Sequence, residues 1–112
     1  MMDWNAYRTH MGANVKVLAQ LSPNTLKGLQ TLETVPEGQK HLDAKTRELI
    51  SLAVAVTTRC DGCIAVHTVA AKKAGATKEE IAEALGVAVA LNAGAALVYS
   101  SRVLDAFENQ PT

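Results

Sequence analysis

An all-α fold is what this sequence predicts, and three features carry the prediction. No stretch alternates apolar and polar residues at period two between turn residues, as a half-buried strand would. Apolar residues recur instead at three- and four-residue spacing. Helix-start signals recur too, at Asp3, Ser22-Pro23, Asp43 and Thr77. Aromatic residues make up only 4% while alanine is frequent, so the core is expected to be Ala, Val and Leu on closely packed helices.

The first helix is expected over about Asp3 to Leu21. Asp3 can cap it, and Trp4, Tyr7, Met11, Val15 and Leu18 form its apolar stripe. Ser22-Pro23 restarts the chain with a cap and a proline at the first helical position. That short helix runs to about Thr34 and is closed by Pro36 and Gly38. The third begins at Asp43, is apolar nearly all round from Leu49 to Val56, and ends at Arg59. It should therefore be buried on more than one side. The fourth starts between Cys60 and Gly62 and stops at Gly75, after Lys72 and Lys73 complement its C-terminal carbonyls. Thr77-Lys78-Glu79-Glu80 is a capping box that opens the fifth. Asn92 to Gly94 is expected to interrupt it, leaving a sixth helix over Ala95 to Phe107 and a frayed tail over Asn109 to Thr112.

Length and charge narrow the function. One domain over residues 1–112 is expected, with 11 basic and 11 acidic residues and a formal net charge of zero. A nucleic-acid footprint would need a basic excess, so none is expected. The N-terminus has no basic region followed by an apolar core, and Leu85 to Val98 is short for a bilayer span. A cytoplasmic protein without a membrane segment is expected. Its two cysteines stand three residues apart, which suits redox or metal chemistry better than a structural staple. The third, fifth and sixth helices carry more apolar surface than a small domain can hide, so a homo-oligomer is expected.

Chemistry concentrates in Cys60-Asp61-Gly62-Cys63-Ile64-Ala65-Val66-His67. On a helix Cys63 lies ~60° behind Cys60, and His67 ~40° ahead of Cys63, so all three share one face. Cys63 and His67, at i and i+4, can touch. The thiolate is the reactive form of cysteine, and a helix N-terminus and a neighbouring base both favour it. Glu48 is the candidate for orienting the histidine. In one continuous helix it would sit ~18 Å and ~120° away from Cys60. It reaches His67 only if the chain turns between Thr57 and Asp61 and the two helices pack antiparallel. A nucleophile, a base and an orienting group would then stand together.

These residues resemble the core of the alkylhydroperoxidase AhpD-like, carboxymuconolactone decarboxylase family. Its redox branch carries a Glu, twelve residues on a Cys-x-x-Cys, and a His four residues after the second Cys; here these are Glu48, Cys60, Cys63 and His67. Arg47-Glu48-Leu49-Ile50-Ser51-Leu52-Ala53 and Gly75-Ala76-Thr77-Lys78-Glu79-Glu80-Ile81 are similar as well, and the likeness extends over about Asp43 to Phe107. The resemblance implies an AhpD-like helical domain of about six helices, assembled as a hexamer. It also implies a thiol-dependent peroxidase that acts on small hydroperoxides without a bound cofactor or metal. Cys63 would be the peroxide-attacking thiolate, His67 and Glu48 its proton relay, and Cys60 the resolving thiol. A lipoyl-type or thioredoxin-like dithiol would return the electrons. The best-studied redox members have a second His between the cysteines, where this chain has Asp61-Gly62. Two alternatives stand beside this reading: a carboxymuconolactone decarboxylase-like lyase, and a non-enzymatic helical oligomer whose dithiol senses redox state.

Other residues receive plainer assignments. One Cys-x-x-Cys without a second pair is a poor structural zinc site. His10 and His41 are expected at the surface. Trp4 and Tyr7 are expected to be packing anchors of the first helix, and Tyr99 to pack in the core.

Overall fold

The computed structural model describes residues 1–111, and among these there is no strand. Five α-helices follow one another: α1 (Trp4–Leu21), α2 (Pro23–Glu33), α3 (Ala44–Thr58), α4 (Asp61–Lys73) and α5 (Lys78–Glu108). A short 3-10 turn, Glu37–Gln39, lies in the connection before α3.

Local chemistry explains most boundaries. Asp3 accepts a hydrogen bond from the Ala6 amide at 3.0 Å, and Asp43 from the Thr46 amide at 2.7 Å, so each caps its helix. Thr77 and Glu80 form the full capping box of α5. Glu80 also pairs with Lys45 at 2.8 Å, which ties the start of α5 to the start of α3 and holds its carboxyl below the usual carboxylate range. Ser22 caps differently: its hydroxyl meets that of Thr25 at 2.7 Å, and Pro23 supplies the first helical residue. Gly75, at φ +87°, ends α4, with the Ala76 amide reaching back to the Ala71 carbonyl.

The expected interruption at Asn92 to Gly94 does not occur. One 31-residue helix replaces the anticipated fifth and sixth, so the described residues form five α-helices rather than six. The Asn92 amide donates to the Ala88 carbonyl one turn back and to the Thr57 hydroxyl of α3, so it acts as a helix-to-helix tie. Gly94 costs a helix about 1 kcal/mol, and the alanines around it are the strongest helix formers. Beyond α5, Asn109 to Pro111 are non-helical, as expected; Thr112 lies outside the described residues.

The packing is an α3 hub. Helix α3 lies against both α4 and α5, while α1 bridges α2 and α4. The buried apolar residues are Leu52, Ala55, Ala65, Ala71 and Ala88, four alanines and one leucine. Small side chains let the helix backbones approach closely. Burial of α3 is narrower than its all-round apolarity suggested, since Ile50, Val54 and Val56 remain exposed.

Arg8 locks α1 onto α4. Its Nε donates to the Ala65 carbonyl at 2.8 Å and its Nη2 to the Thr68 hydroxyl at 3.2 Å. Replacing Arg8 with Ala should cost about 1.5–3 kcal/mol, the range for hydrogen bonds from a charged donor. Urea unfolding followed by fluorescence of Trp4, the single tryptophan, should show α1 releasing before far-UV helicity is lost. Coincident, unshifted transitions would show that this bond does not hold α1.

Candidate dithiol site

The site is assembled at the reversal between α3 and α4. Arg59 adopts the left-handed conformation, φ 53° and ψ 50°, which stops α3. The Cys60 amide then returns to the Ala55 carbonyl at 3.0 Å, the closing bond of a helix-ending turn. Cys60 becomes the cap of α4, where its Sγ accepts from the Cys63 amide at 3.1 Å. The reversal makes the two helices antiparallel neighbours, with Ala55 and Ala65 both buried.

That packing brings Glu48 to His67. The Glu48 Oε2 lies 2.6 Å from the His67 Nδ1, with the side chains 21% and 31% exposed. An ionised carboxylate only accepts, so this pairing places a proton on Nδ1, and in the neutral imidazole Nε2 is then the acceptor. Cys63 precedes His67 by one turn on the same face. Cys60 and Cys63 are joined by a disulfide, their Cα atoms 5.2 Å apart. Both are half-buried, so neither thiol is distinguished by exposure. Different devices attend the two sulfurs. The α4 N-terminus addresses Cys60 directly, and the histidine shares a face with Cys63.

Glycine between the cysteines leaves room for the Met11 side chain, which would have to shift to admit a larger residue. A Cβ on Gly62 would lie 2.8 Å from the Met11 Sδ and 3.7 Å from the Tyr7 hydroxyl. Helix α1 therefore rests on the dithiol turn itself. Tyr7, expected only as a packing anchor, reaches the site; Gly62 within the motif was the one sequence sign that something approaches closely there. Tyr99 does not pack in the core as expected. It is exposed on the outer part of α5, with the Arg102 guanidinium 4.9 Å from its ring centre. His10 and His41 are exposed, as expected.

The sequence signature of the Carboxymuconolactone decarboxylase family matches residues 23–106. An uncharacterized protein from Haemophilus influenzae is 48% identical over 108 residues, 96% of each chain. One from Cupriavidus necator is 30% identical over 106 residues, covering 95% of this chain and 94% of its own. Among solved structures, the apo form of a carboxymuconolactone decarboxylase family protein from Legionella pneumophila superposes with a TM-score of 0.72 at 33% identity, over 94% of both chains. The chain belongs to the carboxymuconolactone decarboxylase family, which includes both decarboxylases and AhpD-like peroxidases.

A pair on one helical turn should open and close without rearranging the fold. Reduction should add two alkylatable thiols per chain, and mild oxidation should remove both, with far-UV helicity unchanged. Protein purified without chelator should carry little zinc. One equivalent of zinc per chain would replace the dithiol assignment with a metal site.

Proposed function

We propose that the protein is a thiol-dependent peroxidase that reduces small hydroperoxides through Cys60 and Cys63. The observation that carries this reading is the 2.6 Å Glu48–His67 pair on the helix face of Cys63. In the reduced protein, His67 Nε2 takes the Cys63 proton, with Glu48 fixing the ring and balancing its charge. The Cys63 thiolate attacks the terminal oxygen of ROOH. An S–O bond forms, the O–O bond breaks, and RO⁻ leaves and is protonated to the alcohol. The resulting sulfenic acid is attacked by the Cys60 thiol, which releases water and forms the disulfide. A dithiol of lipoyl or thioredoxin-like type then reduces Cys60–Cys63 by exchange and is itself oxidised to a disulfide.

Substitutions separate the roles. Cys60→Ser should permit one round of attack and trap a sulfenic acid on Cys63. Cys63→Ser should abolish attack. His67→Ala should slow it about ten- to a thousandfold, the scale of losing a general base. Glu48→Gln should have a smaller effect in the same direction, because it acts through the histidine. Stopped-flow peroxide consumption with mass-spectrometric mapping reads all four. Sulfenic acid on Cys60 of the Cys63→Ser protein, formed at the wild-type rate, would reverse the cysteine roles. Consumption that stops at one equivalent with dithiol reductant in excess would favour a redox sensor over an enzyme.

We also propose that the working form is a homo-oligomer, a hexamer by family likeness. The accessible surface is 9081 Å², against about 5,900 Å² for a compact monomer of this mass. The radius of gyration is 18.7 Å, against about 13 Å for a compact chain of this length. The excess of about 3,000 Å² is of the size hidden in obligate assemblies. Much of it lies on α5, where every described residue from Leu91 on is exposed, including Leu97, Val98, Leu104 and Phe107. Helix α5 is long and apolar enough to cross a membrane by length and composition, being longer than the Leu85 to Val98 stretch weighed from sequence. Asn92, Ser100, Ser101, Arg102 and Asp105 along it favour a protein neighbour over lipid. Light scattering in detergent-free buffer should give a multiple of 11.8 kDa. A monomer at micromolar concentration, or partition into membranes, would overturn the assembly.

A further inference from the structure

We propose that Tyr7 is a catalytic residue that donates the proton to the departing oxygen when the peroxide bond breaks; this rests on the peroxidase reading above. The observation is the juxtaposition at Gly62. The Tyr7 hydroxyl stands 3.7 Å from the point where a Gly62 side chain would begin, and Gly62 is the residue before Cys63. Around the α4 axis, Gly62 lies ~100° to one side of Cys63 and His67 ~40° to the other. A proton acceptor thus stands to one side of Cys63 on the helix, and a phenol beside the preceding residue, Gly62, on the other.

Three neighbouring residues set the position of the phenol. Arg8, the next residue, bonds the Ala65 carbonyl and the Thr68 hydroxyl, fixing the helix that carries the ring. Trp4 meets the Tyr7 ring edge-on, with centroids 6.0 Å apart. Met11, one turn on, fills the space above Gly62 with its Sδ. Tyr7 is half-buried, and among the described residues its hydroxyl has no hydrogen-bond partner. A groove of about 360 Å³ runs from it along α1 past Met11, Asn14, Val15 and Leu18, giving an organic group room to lie.

Chemistry supplies the need. Attack of the Cys63 thiolate on ROOH transfers OH to sulfur and expels RO⁻, a strong base. A phenol is a far stronger acid than an alcohol, so Tyr7 can protonate RO⁻ as the O–O bond breaks. The phenolate then recovers its proton from solvent, which receives the one that the thiol gave to His67. No oxidant or reductant beyond the peroxide and the thiol is involved. His67 and Tyr7 divide the labour: one raises the thiolate population, the other improves the leaving group.

The test uses reduced full-length Cys60→Ser protein, which holds one thiol, with and without Tyr7→Phe. The probes are tert-butyl hydroperoxide, peracetic acid and iodoacetamide. Tyr7→Phe should slow reaction with tert-butyl hydroperoxide at least tenfold. Peracetic acid expels acetate, which needs no proton, and should lose under threefold. Iodoacetamide breaks no O–O bond and should react within twofold of the parent. Equal rates with tert-butyl hydroperoxide in both proteins would overturn the role of Tyr7 and leave the peroxidase reading standing. Equal slowing with all three probes would also overturn it, by showing that the ring only supports the thiol or the fold. Reaction of the parent thiol with iodoacetamide but with neither peroxide would overturn the peroxidase reading, and this inference with it.

Discussion

The reversal at Arg59 governs what this molecule can do. Were α3 to continue straight, Glu48 would stand on a different face and a helix length away from the cysteines. A left-handed residue there folds α4 back along α3, and the alanines between them let the backbones come close. Two consequences arise from the same turn. Cys60 becomes a helix cap, its sulfur facing the α4 amides. Glu48 comes within 2.6 Å of His67, nineteen residues further along the chain. A non-glycine residue in the left-handed region carries a cost of order 1 kcal/mol, which the surrounding contacts must outweigh.

The hub also shows how burial is shared between small and large residues. A core of one leucine and four alanines positions helices accurately but buries little large apolar surface. At about 25 cal/mol per Å², an alanine gives far less than a leucine, so the bulkier Val and Leu groups left on α3 and α5 hold most of the unused hydrophobic energy. The fold is thus divided between an interior of small residues that sets geometry and an outer face of large ones that stays exposed.

Much of this was legible because the signals are local. Asp3, Asp43 and the Thr77–Glu80 box act over three residues, and the structure places each as the sequence suggests. The Glu48–His67 encounter was legible for a different reason: an i, i+4 Cys–His pair needs an orienting acid, and a turn near Arg59 offered one. Asn92 and Gly94 misled, because break signals are weak priors and tertiary ties overrule them. Asn92 spends its amide on Ala88 and Thr57 rather than on ending the helix. Tyr7 was illegible for a deeper reason. Its stripe on α1 reads as packing, and only the angle at which Arg8 sets α1 across α4 decides that its oxygen arrives beside Gly62. Tyr99 was misplaced as well: it sits on the continuous α5 with its ring exposed rather than in the core.

The sequence spacing of these contacts has a kinetic meaning. Glu48, Cys60, Cys63 and His67 lie on one helical hairpin of neighbouring segments, whereas Arg8 meets α4 across separations of 57 and 60 residues. Contacts between near neighbours close small loops and form fast; distant ones wait for large loops to close. During folding the acid–imidazole pair can therefore assemble before α1 arrives. Until α1 docks, nothing from it lies over Gly62. The side chains of Tyr7 and Met11 close over Gly62 only with that last step, so the order of assembly, as well as the finished geometry, sets when the turn between the cysteines is covered.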